Sequence, residues 1–231
     1  MKAYIEKILS ERGYSISNPA SSPATSSLYI VGAGEQLSVQ DKKIFHTTVA
    51  QCLHLAHRAR PDILLAANYL ATRVSCPTSI DKDKLIRLLR YLYGTKSLSL
   101  NFYPNDKKIE DMTTSIDAAF GVHEDAKSRT GSYITVAGCC VRAKSSKQKL
   151  VTKDSTEAEL VGASDDISEA IRVRNFLIGQ GYKMRPITLN QDNKSTIAML
   201  NKGDSSGKRN RHINVRYFFI KDRVKFDRII V

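Results

Sequence analysis

The chain has 231 residues, of which 42% are hydrophobic, and it carries a formal net charge of +13. This length predicts one large domain or two modest domains, each with a sizeable core. The excess of Lys and Arg favours nucleic acid or another polyanion as a partner. The sequence has no apolar run long enough to span a bilayer, and its short charged start does not have the pattern of a signal peptide. The four cysteines lack CxxC spacing, which favours reduced thiols of an intracellular protein over a zinc site or a disulfide framework.

Helical periodicity dominates the first part of the chain. The start is typical of an amphipathic helix, and residues 14–36 read as a loop rich in Ser, Pro, Ala and Gly, with one short strand at 28–31. Apolar residues at helical spacing then predict three helices, over residues 41–58, 63–72 and 82–93. We expect residues 1–106 to contain a small helical bundle.

Strand-like runs follow from residue 107 onward. Short β-prone runs, separated by Gly or charged turns, predict three strands at 113–120, 131–137 and 139–144. The remaining pattern predicts a long helix, a buried strand, two helices and a last strand, at 155–179, 187–191, 195–201, 212–225 and 228–231. The long helix acts as a crossover, so the fourth strand is expected to lie parallel to the first. Residues 107–231 are therefore predicted to form an α/β domain with a mixed five-stranded sheet.

Three carboxylates occupy positions that one edge of such a sheet brings together. Asp117 ends the first strand, Glu159 lies in the first turn of the long helix, and Asp192 follows the fourth strand. Such a cluster repels itself unless cations bind it, and hard oxygen ligands favour Mg²⁺ or Mn²⁺. An acidic metal site on a basic chain predicts metal-assisted chemistry on a polyanion.

Each carboxylate also has a purely structural interpretation. Asp117 would cap a turn at the strand end, and Asp192 would cap the helix that begins near residue 195. Glu159 would form a capping box with Thr156, and Glu157 paired with Asp154 would be another. Glu157 is an alternative ligand, but two residues apart on a helix the side chains of Glu157 and Glu159 point about 200° apart. Only one of them faces the sheet, and we favour Glu159.

Several short motifs occur in a fixed order along the chain. In the second half they are Ser-Ile-Asp-Ala, Ser-Ser-Lys-Gln, Ser-Thr-Glu-Ala-Glu, Asp-Asn-Lys-Ser and Arg-Asn-Arg-His-Ile-Asn-Val-Arg-Tyr, at 115–118, 145–148, 155–159, 192–195 and 209–217. Upstream, Arg-Pro-Asp-Ile lies at 60–63 and Leu-Leu-Arg-Tyr-Leu-Tyr-Gly-Thr-Lys at 88–96. Together these motifs resemble the C-terminal part of copia-type retrotransposon Pol polyproteins, in which the end of the reverse transcriptase precedes a ribonuclease H domain.

The resemblance implies a fold, an activity and a set of ligands. It implies a helical segment like the reverse transcriptase thumb or connection at 1–106, and a ribonuclease H-like domain, truncated at its C-terminus, at 107–231. The implied activity is endonucleolytic cleavage of the RNA strand of RNA–DNA hybrids. Asp117, Glu159 and Asp192 would be the catalytic metal ligands, holding two Mg²⁺ or Mn²⁺ ions. The rest of a reverse transcriptase polyprotein is the implied protein partner.

Departures from the family pattern predict reduced activity. Ala119 stands where the family usually has a second aspartate, and Asn214 replaces another aspartate. The polymerase palm would precede Met1, and the helix that carries a fourth carboxylate would follow Val231. We therefore expect a fragment of a polyprotein that is a weak or inactive nuclease. The alternatives are a nucleic-acid-binding remnant without turnover and a domesticated interaction module.

Basic residues that precede and follow the long helix in the sequence are predicted to contact the nucleic acid backbone. They are Arg142, Lys144, Lys147, Lys149, Lys208, Arg209 and Arg211. Selectivity for RNA would come from contacts to 2′-hydroxyl groups in the wide minor groove. His123 lies in a charged loop after the first strand, where contact with substrate is the alternative to a structural role.

Overall fold

The computed structural model describes residues 1–10, 14, 16, 18–102, 108–202, 211–226 and 229–231, and of residues 201, 202 and 211–214 it describes only the backbone. The chain divides into two units, Met1–Leu100 and Asn101–Val231. Within the described residues, every helix is too short or too polar to cross a membrane.

The first unit is helical where the structure describes it. Its α-helices are α1, α2, α3 and α4, at Lys2–Ser10, Val39–Arg58, Leu64–Ala71 and Ser79–Gly94. The strand predicted at 28–31 is wrong, because a 3₁₀ helix spans Ser26–Tyr29. There the backbone N–H of Leu28 donates to the carbonyl of Thr25 at 3.0 Å, and the Leu28 side chain is buried. A local hydrogen bond thus satisfies the backbone that a strand would pair with a neighbour.

A buried arginine joins the two sequence motifs of this unit. Arg60 is 2% exposed, and its Nε donates to Oδ1 of Asp62 at 2.9 Å. The Nη1 of Arg60 donates to the carbonyl of Thr95 at 2.8 Å, and the hydroxyl of Tyr91 donates to Oδ2 of Asp62 at 2.9 Å. A charge taken out of water needs this degree of pairing. The two motifs therefore have a structural role: they tie the turn before α3 to the end of α4.

The second unit is built on one mixed sheet. Its strands are β1, β2, β3, β4 and β5, at Met112–Ala119, Arg129–Val136, Cys139–Lys147, Ile187–Asn190 and Ile229–Ile230. Its helices are α5, α6 and α7, at Ser155–Gly179, Lys194–Lys202 and Arg211–Lys225. The strand order is β3-β2-β1-β4-β5, with the first three strands antiparallel and with β4 parallel to both β1 and β5. The predicted α/β class, with a mixed five-stranded sheet preceded in the chain by a helical region, is confirmed.

Helix α5 covers one face of the sheet. Alternate residues of β1 point toward it and are buried, including Ile116, while Asp117 is exposed on the other face. The core between α5 and the sheet contains aliphatic side chains from both layers, with contributions from the later helices. It includes Ile116, Leu160, Val161, Ala163, Ile167, Leu189, Leu200, Tyr217, Ile220 and Ile229. Burying this apolar surface holds the first turn of α5 beside the end of β1.

Gly162 brings α5 unusually close to the sheet. A Cβ at this position would lie 3.0 Å from Cγ2 of Thr130 and 3.4 Å from Cγ2 of Ile116. The first of these distances is shorter than ordinary van der Waals contact. The absence of a side chain at Gly162 therefore sets the distance between the helix and strands β1 and β2.

We predict that Gly162→Ala lowers the free energy of unfolding by about 1–3 kcal/mol, the usual cost of overpacking a core. Gly179→Ala is the matched control on the same helix, because a Cβ at Gly179 meets no atom within 4 Å. It should leave stability unchanged or raise it slightly, since Ala favours helix more than Gly does. Urea unfolding followed by circular dichroism measures both, and equal stability of the two variants would contradict the close approach.

Candidate metal centre

Three carboxylates converge at one edge of the sheet in the second unit. Asp117 lies near the end of β1, Glu159 is the fifth residue of α5, and Asp192 lies two residues after the end of β4. Since β1 and β4 are parallel, their carboxyl ends meet at the same edge. One carboxylate oxygen from each residue lies within 4.8 Å of the other two. The structure thus brings together the three predicted residues, and their role as ligands remains a prediction.

Other side chains cap the start of α5, which leaves Glu159 to face the sheet. The N-cap is Asp154, whose Oδ1 accepts a hydrogen bond from the backbone N–H of Glu157 at 2.8 Å. In return, Oε2 of Glu157 accepts from the backbone N–H of Lys153 at 3.0 Å. The capping box considered for Thr156 and Glu159 is therefore wrong, because Asp154 and Glu157 satisfy the helix start. Glu157 serves the cap, and Glu159 points into the cluster.

Glu159 is a buried carboxylate held at both oxygens. It is 4% exposed, its Oε1 accepts from the backbone N–H of Ala118 at 3.0 Å, and its Oε2 accepts from Nε2 of Gln191 at 3.2 Å. Burial raises the pKa of Glu159, the two hydrogen bonds oppose that rise, and the negative charges of Asp117 and Asp192 add to it. Charge is thus concentrated here at an electrostatic cost that a bound cation would relieve.

Asp192 does not cap the helix that follows it. Oδ1 of Asn193 accepts from the backbone N–H of Thr196 at 3.0 Å, so Asn193 is the side chain that caps α6. The capping role considered for Asp192 is therefore wrong by one residue. Asp192 is exposed, and its carboxylate belongs to the cluster.

The donor set fits a hard divalent cation. All three ligand candidates offer carboxylate oxygens, which Mg²⁺ and Mn²⁺ prefer. Oxygens bound to one Mg²⁺ lie about 3–4 Å apart, given bonds of roughly 2.0–2.1 Å. The separations of up to 4.8 Å in the cluster need only small side-chain movements to reach that range. Among the described residues, this is also the one group of three or more acidic, His or Cys side chains close enough to share an ion.

Gln148 ties the first turn of α5 to the sheet. It is 4% exposed, and its Nε2 donates to Oγ1 of Thr130 at 3.0 Å and to the carbonyl of Ala158 at 2.8 Å. Its backbone N–H donates to the carbonyl of Ser128 at 2.8 Å. Because Ala158 precedes Glu159, these contacts help to set the height of Glu159 above the sheet. The sequence motif at 145–148 contains Gln148, but only the fold shows what its side chain contacts.

Two of the predicted phosphate-binding residues make ion pairs with α5. Nζ of Lys144 contacts Oδ1 of Asp166, and Nη2 of Arg142 lies 3.8 Å from Oε2 of Glu169. Asp166 is 2% exposed, so the charge of Lys144 compensates a buried carboxylate. Both cations lie on the α5 side of β3.

Lys147 lies in a different environment. Its Nζ is 2.8 Å from Oδ1 of Asp125, in the loop between β1 and β2. Asp125 also pairs with Lys127 at 3.1 Å, so two lysines share one exposed carboxylate. Lys149 is exposed.

The remaining basic candidates fall where little is described. Lys208 and Arg209 lie outside the described residues. Arg211 begins α7, of which only the backbone is described at that position. Their predicted contacts with nucleic acid stay predictions.

His123 lies in the same loop as Asp125 and is neutral near pH 7. Burial and the positive charges of Arg129 and Lys147 together lower the pKa of His123 to about 4, against an opposing effect of Asp125. Nε2 of His123 is 3.5 Å from Nη1 of the buried Arg129. The side chain therefore packs against Arg129, which supports the structural interpretation of this histidine.

Comparison with known proteins shows retrotransposon relatives. The chain is 28% identical over 226 residues to the "Retrovirus-related Pol polyprotein from transposon TNT 1-94" of Nicotiana tabacum, covering 96% of this chain and 17% of that protein. It is 33% identical over 133 residues to the putative transposon Ty5-1 protein of Saccharomyces cerevisiae, covering 57% of this chain and 42% of that protein. It is 26% identical over 214 residues to a Ty1 Gag-Pol polyprotein of the same yeast, covering 88% of this chain and 12% of that protein.

The chain is similar to retrotransposon Pol polyproteins, in two of these comparisons over most of its length. This finding supports the resemblance to the C-terminal region of copia-type Pol. The chain spans less than half the length of each of these relatives. No protein-family model matches it.

A comparison with solved structures finds a ribonuclease H domain. It is the N-terminal domain of a Mycobacterium tuberculosis protein, solved as a fusion with maltose-binding protein. The TM-score is 0.39 at 10% identity, over 52% of this chain and 78% of that chain.

We predict that the stability of this Pol-related chain falls as the pH is lowered from 6.5, the ordinary pKa of His, toward 4, the pKa of His123 in the fold. Between these pH values the imidazole of His123 binds a proton in the unfolded chain but not in the folded chain. The contribution to folding stability that is present above pH 6.5 is therefore lost as the pH falls. His123→Gln should flatten this dependence in thermal melts. His46→Gln, at an exposed position on α2, is the control and should keep the slope of the unmodified chain. An unchanged slope in His123→Gln would contradict the assignment.

Proposed function

We propose that this chain is a metal-dependent endonuclease segment of a copia-type Pol polyprotein, acting on the RNA strand of RNA–DNA hybrids. Residues 107–231 would be the ribonuclease H domain, and residues 1–106 the thumb- or connection-like end of the reverse transcriptase. The observation that carries the proposal is the convergence of Asp117, Glu159 and Asp192 on one edge of a mixed sheet. The Pol relatives support the polyprotein context.

The three carboxylates would have different roles, because one is buried and two are exposed. Glu159 is buried and held by two hydrogen bonds, so it offers a fixed oxygen at the floor of the site. Asp117 and Asp192 are exposed, so a ligand can approach both carboxylates from solvent. One or two Mg²⁺ or Mn²⁺ ions, when bound, would supply charge stabilisation to the phosphate and acidify a water. The three side chains would orient the scissile phosphate against that edge.

The strand register supports a substrate surface on the open face of the sheet. Asp117 pairs with Gly131 on β2, and Gly131 pairs with Ser145 on β3, so these positions share one face. A Cβ at Gly131 would meet no atom within 4 Å. An open position beside Asp117 leaves room for a nucleic acid backbone to approach the cluster.

The same register separates the basic residues of β3. Lys147 pairs with Arg129, which lies two residues before Gly131 on β2. Lys147 therefore lies on the same face of the sheet as Asp117 and Gly131. Lys144 pairs with Ser132 and lies on the opposite face, where it contacts Asp166 of α5. We therefore propose Lys147, and not Lys144, as the phosphate contact of this strand.

Cleavage of a labelled RNA–DNA hybrid tests the proposed activity. Asp192→Asn keeps the shape of the side chain but removes its charge, and should slow cleavage at least about 100-fold, because metal-ion stabilisation is worth several kcal/mol. Asp165→Asn is the matched control, since Asp165 is exposed and pairs with Arg216 outside the cluster. Activity should require Mg²⁺ or Mn²⁺ and disappear with chelator.

Other outcomes of this assay select the alternatives. Hybrid binding that is unaffected by metal, without cleavage, would indicate a nucleic-acid-binding remnant. Absence of both binding and cleavage would favour an interaction module. Cleavage that is equally fast in Asp192→Asn and in the control would contradict the assignment of the site.

The salt dependence of hybrid binding tests the substrate surface. Lys147→Gln should reduce the slope of log affinity against log salt by about 1, as expected when one phosphate contact is lost. Lys144→Gln, three positions earlier on the same strand, should leave the slope unchanged. The outcome that contradicts the proposed surface is a slope reduced by Lys144→Gln and not by Lys147→Gln.

A further inference from the structure

We infer that Gln191 is a positioning residue of this metal centre, and that its amide fixes the carboxylate of Glu159 for the cation. The inference rests on the proposed function, since it assigns a role within the same site. Gln191 lies in the turn between β4 and α6, directly before Asp192. Nothing in the sequence pattern distinguishes it from an ordinary polar turn residue.

The two ends of the Gln191 amide have different partners. Its Oε1 accepts from the backbone N–H of Asn193 at 3.0 Å, and its Nε2 donates to Oε2 of Glu159 at 3.2 Å. A backbone N–H can only donate, so the amide oxygen must face Asn193. The NH₂ group is then turned toward Glu159, where a carboxylate accepts it. The backbone of the turn thereby determines which end of Gln191 meets the cluster.

This arrangement couples two of the three carboxylates. Asp192 lies between Gln191 and Asn193, so the hydrogen bond that closes the turn also holds the backbone that carries Asp192. The other end of the same amide holds Glu159 on α5. One side chain therefore sets the position of Glu159 relative to Asp192, across two elements that are distant in sequence.

The hydrogen bonds to Glu159 define the plane of its carboxylate. Ala118 donates to Oε1 and Gln191 to Oε2, so neither oxygen can rotate without breaking a bond. A carboxylate has about four lone-pair sites, so each oxygen keeps capacity for a cation. Without Gln191, Oε2 would lose its donor beside the negative charges of Asp117 and Asp192, and the side chain would turn away from them.

The test is Mn²⁺ binding to the full chain, measured by electron paramagnetic resonance and by calorimetry. Gln191→Met keeps the length of the side chain but removes both hydrogen bonds, and Gln191→Asn keeps an amide that is one methylene too short to make both. Both variants should bind Mn²⁺ about 10–100-fold more weakly, the usual effect of losing a group that orients a metal ligand.

Asn190→Leu is the matched control. It removes a neighbouring amide at the end of β4 whose Nδ2 donates to Oγ of Ser115 at 3.1 Å, and not to the cluster. It should bind Mn²⁺ as the unmodified chain does. Melting temperatures in chelator show whether each variant is folded, and Gln191→Asn provides the measurement if Gln191→Met is not.

The results separate this inference from the proposed function. If the unmodified chain binds Mn²⁺ and both Gln191 variants bind it equally well, the positioning role is overturned while the metal centre stands. If the unmodified chain does not bind Mn²⁺, the metal centre itself is overturned and the role of Gln191 falls with it. Weaker binding in both Gln191 variants but not in Asn190→Leu is the supporting result.

Discussion

The close contact between α5 and the sheet is the constraint on which the site depends. Gly162 allows the helix to approach Thr130, and Gln148 bonds the first turn of α5 to the same threonine. These contacts place the carboxylate of Glu159 within hydrogen-bonding distance of the β1 backbone. A helix held farther from the sheet would lengthen the hydrogen bond between the backbone N–H of Ala118 and the carboxylate of Glu159.

The site concentrates negative charge on a strongly basic chain. Burial and neighbouring carboxylates both raise the pKa of Glu159, which means that the fold sustains an unfavourable arrangement at this edge of the sheet. Such arrangements are common where a cation or a substrate compensates them. By contrast, one oxygen of the buried Asp166 is paired with the positive charge of Lys144. Glu159 thus differs from Asp166, because its nearest charged neighbours are carboxylates and not a lysine.

Much of the second unit could be predicted from its pattern. The apolar runs indicated the strands, and the crossover helix indicated that β4 lies parallel to β1, as the structure confirms. The capping assignments failed for Glu159 and Asp192, because several side chains near each helix start were able to accept the same hydrogen bond. Which of them does so depends on where the preceding loop runs, and that is decided by tertiary packing.

The sequence by itself determined the order of the elements in the second unit, the three candidate carboxylates and the similarity to retrotransposon Pol polyproteins, because periodicity and motif order are local properties. Only the tertiary structure decided on which faces of the sheet Lys144 and Lys147 lie, since a single step in strand register moves a side chain to the other face. It alone revealed Gln148 and Gln191, whose amides bond to residues on other elements. Hydrogen bonds between residues far apart in the chain leave no periodic signal in the sequence.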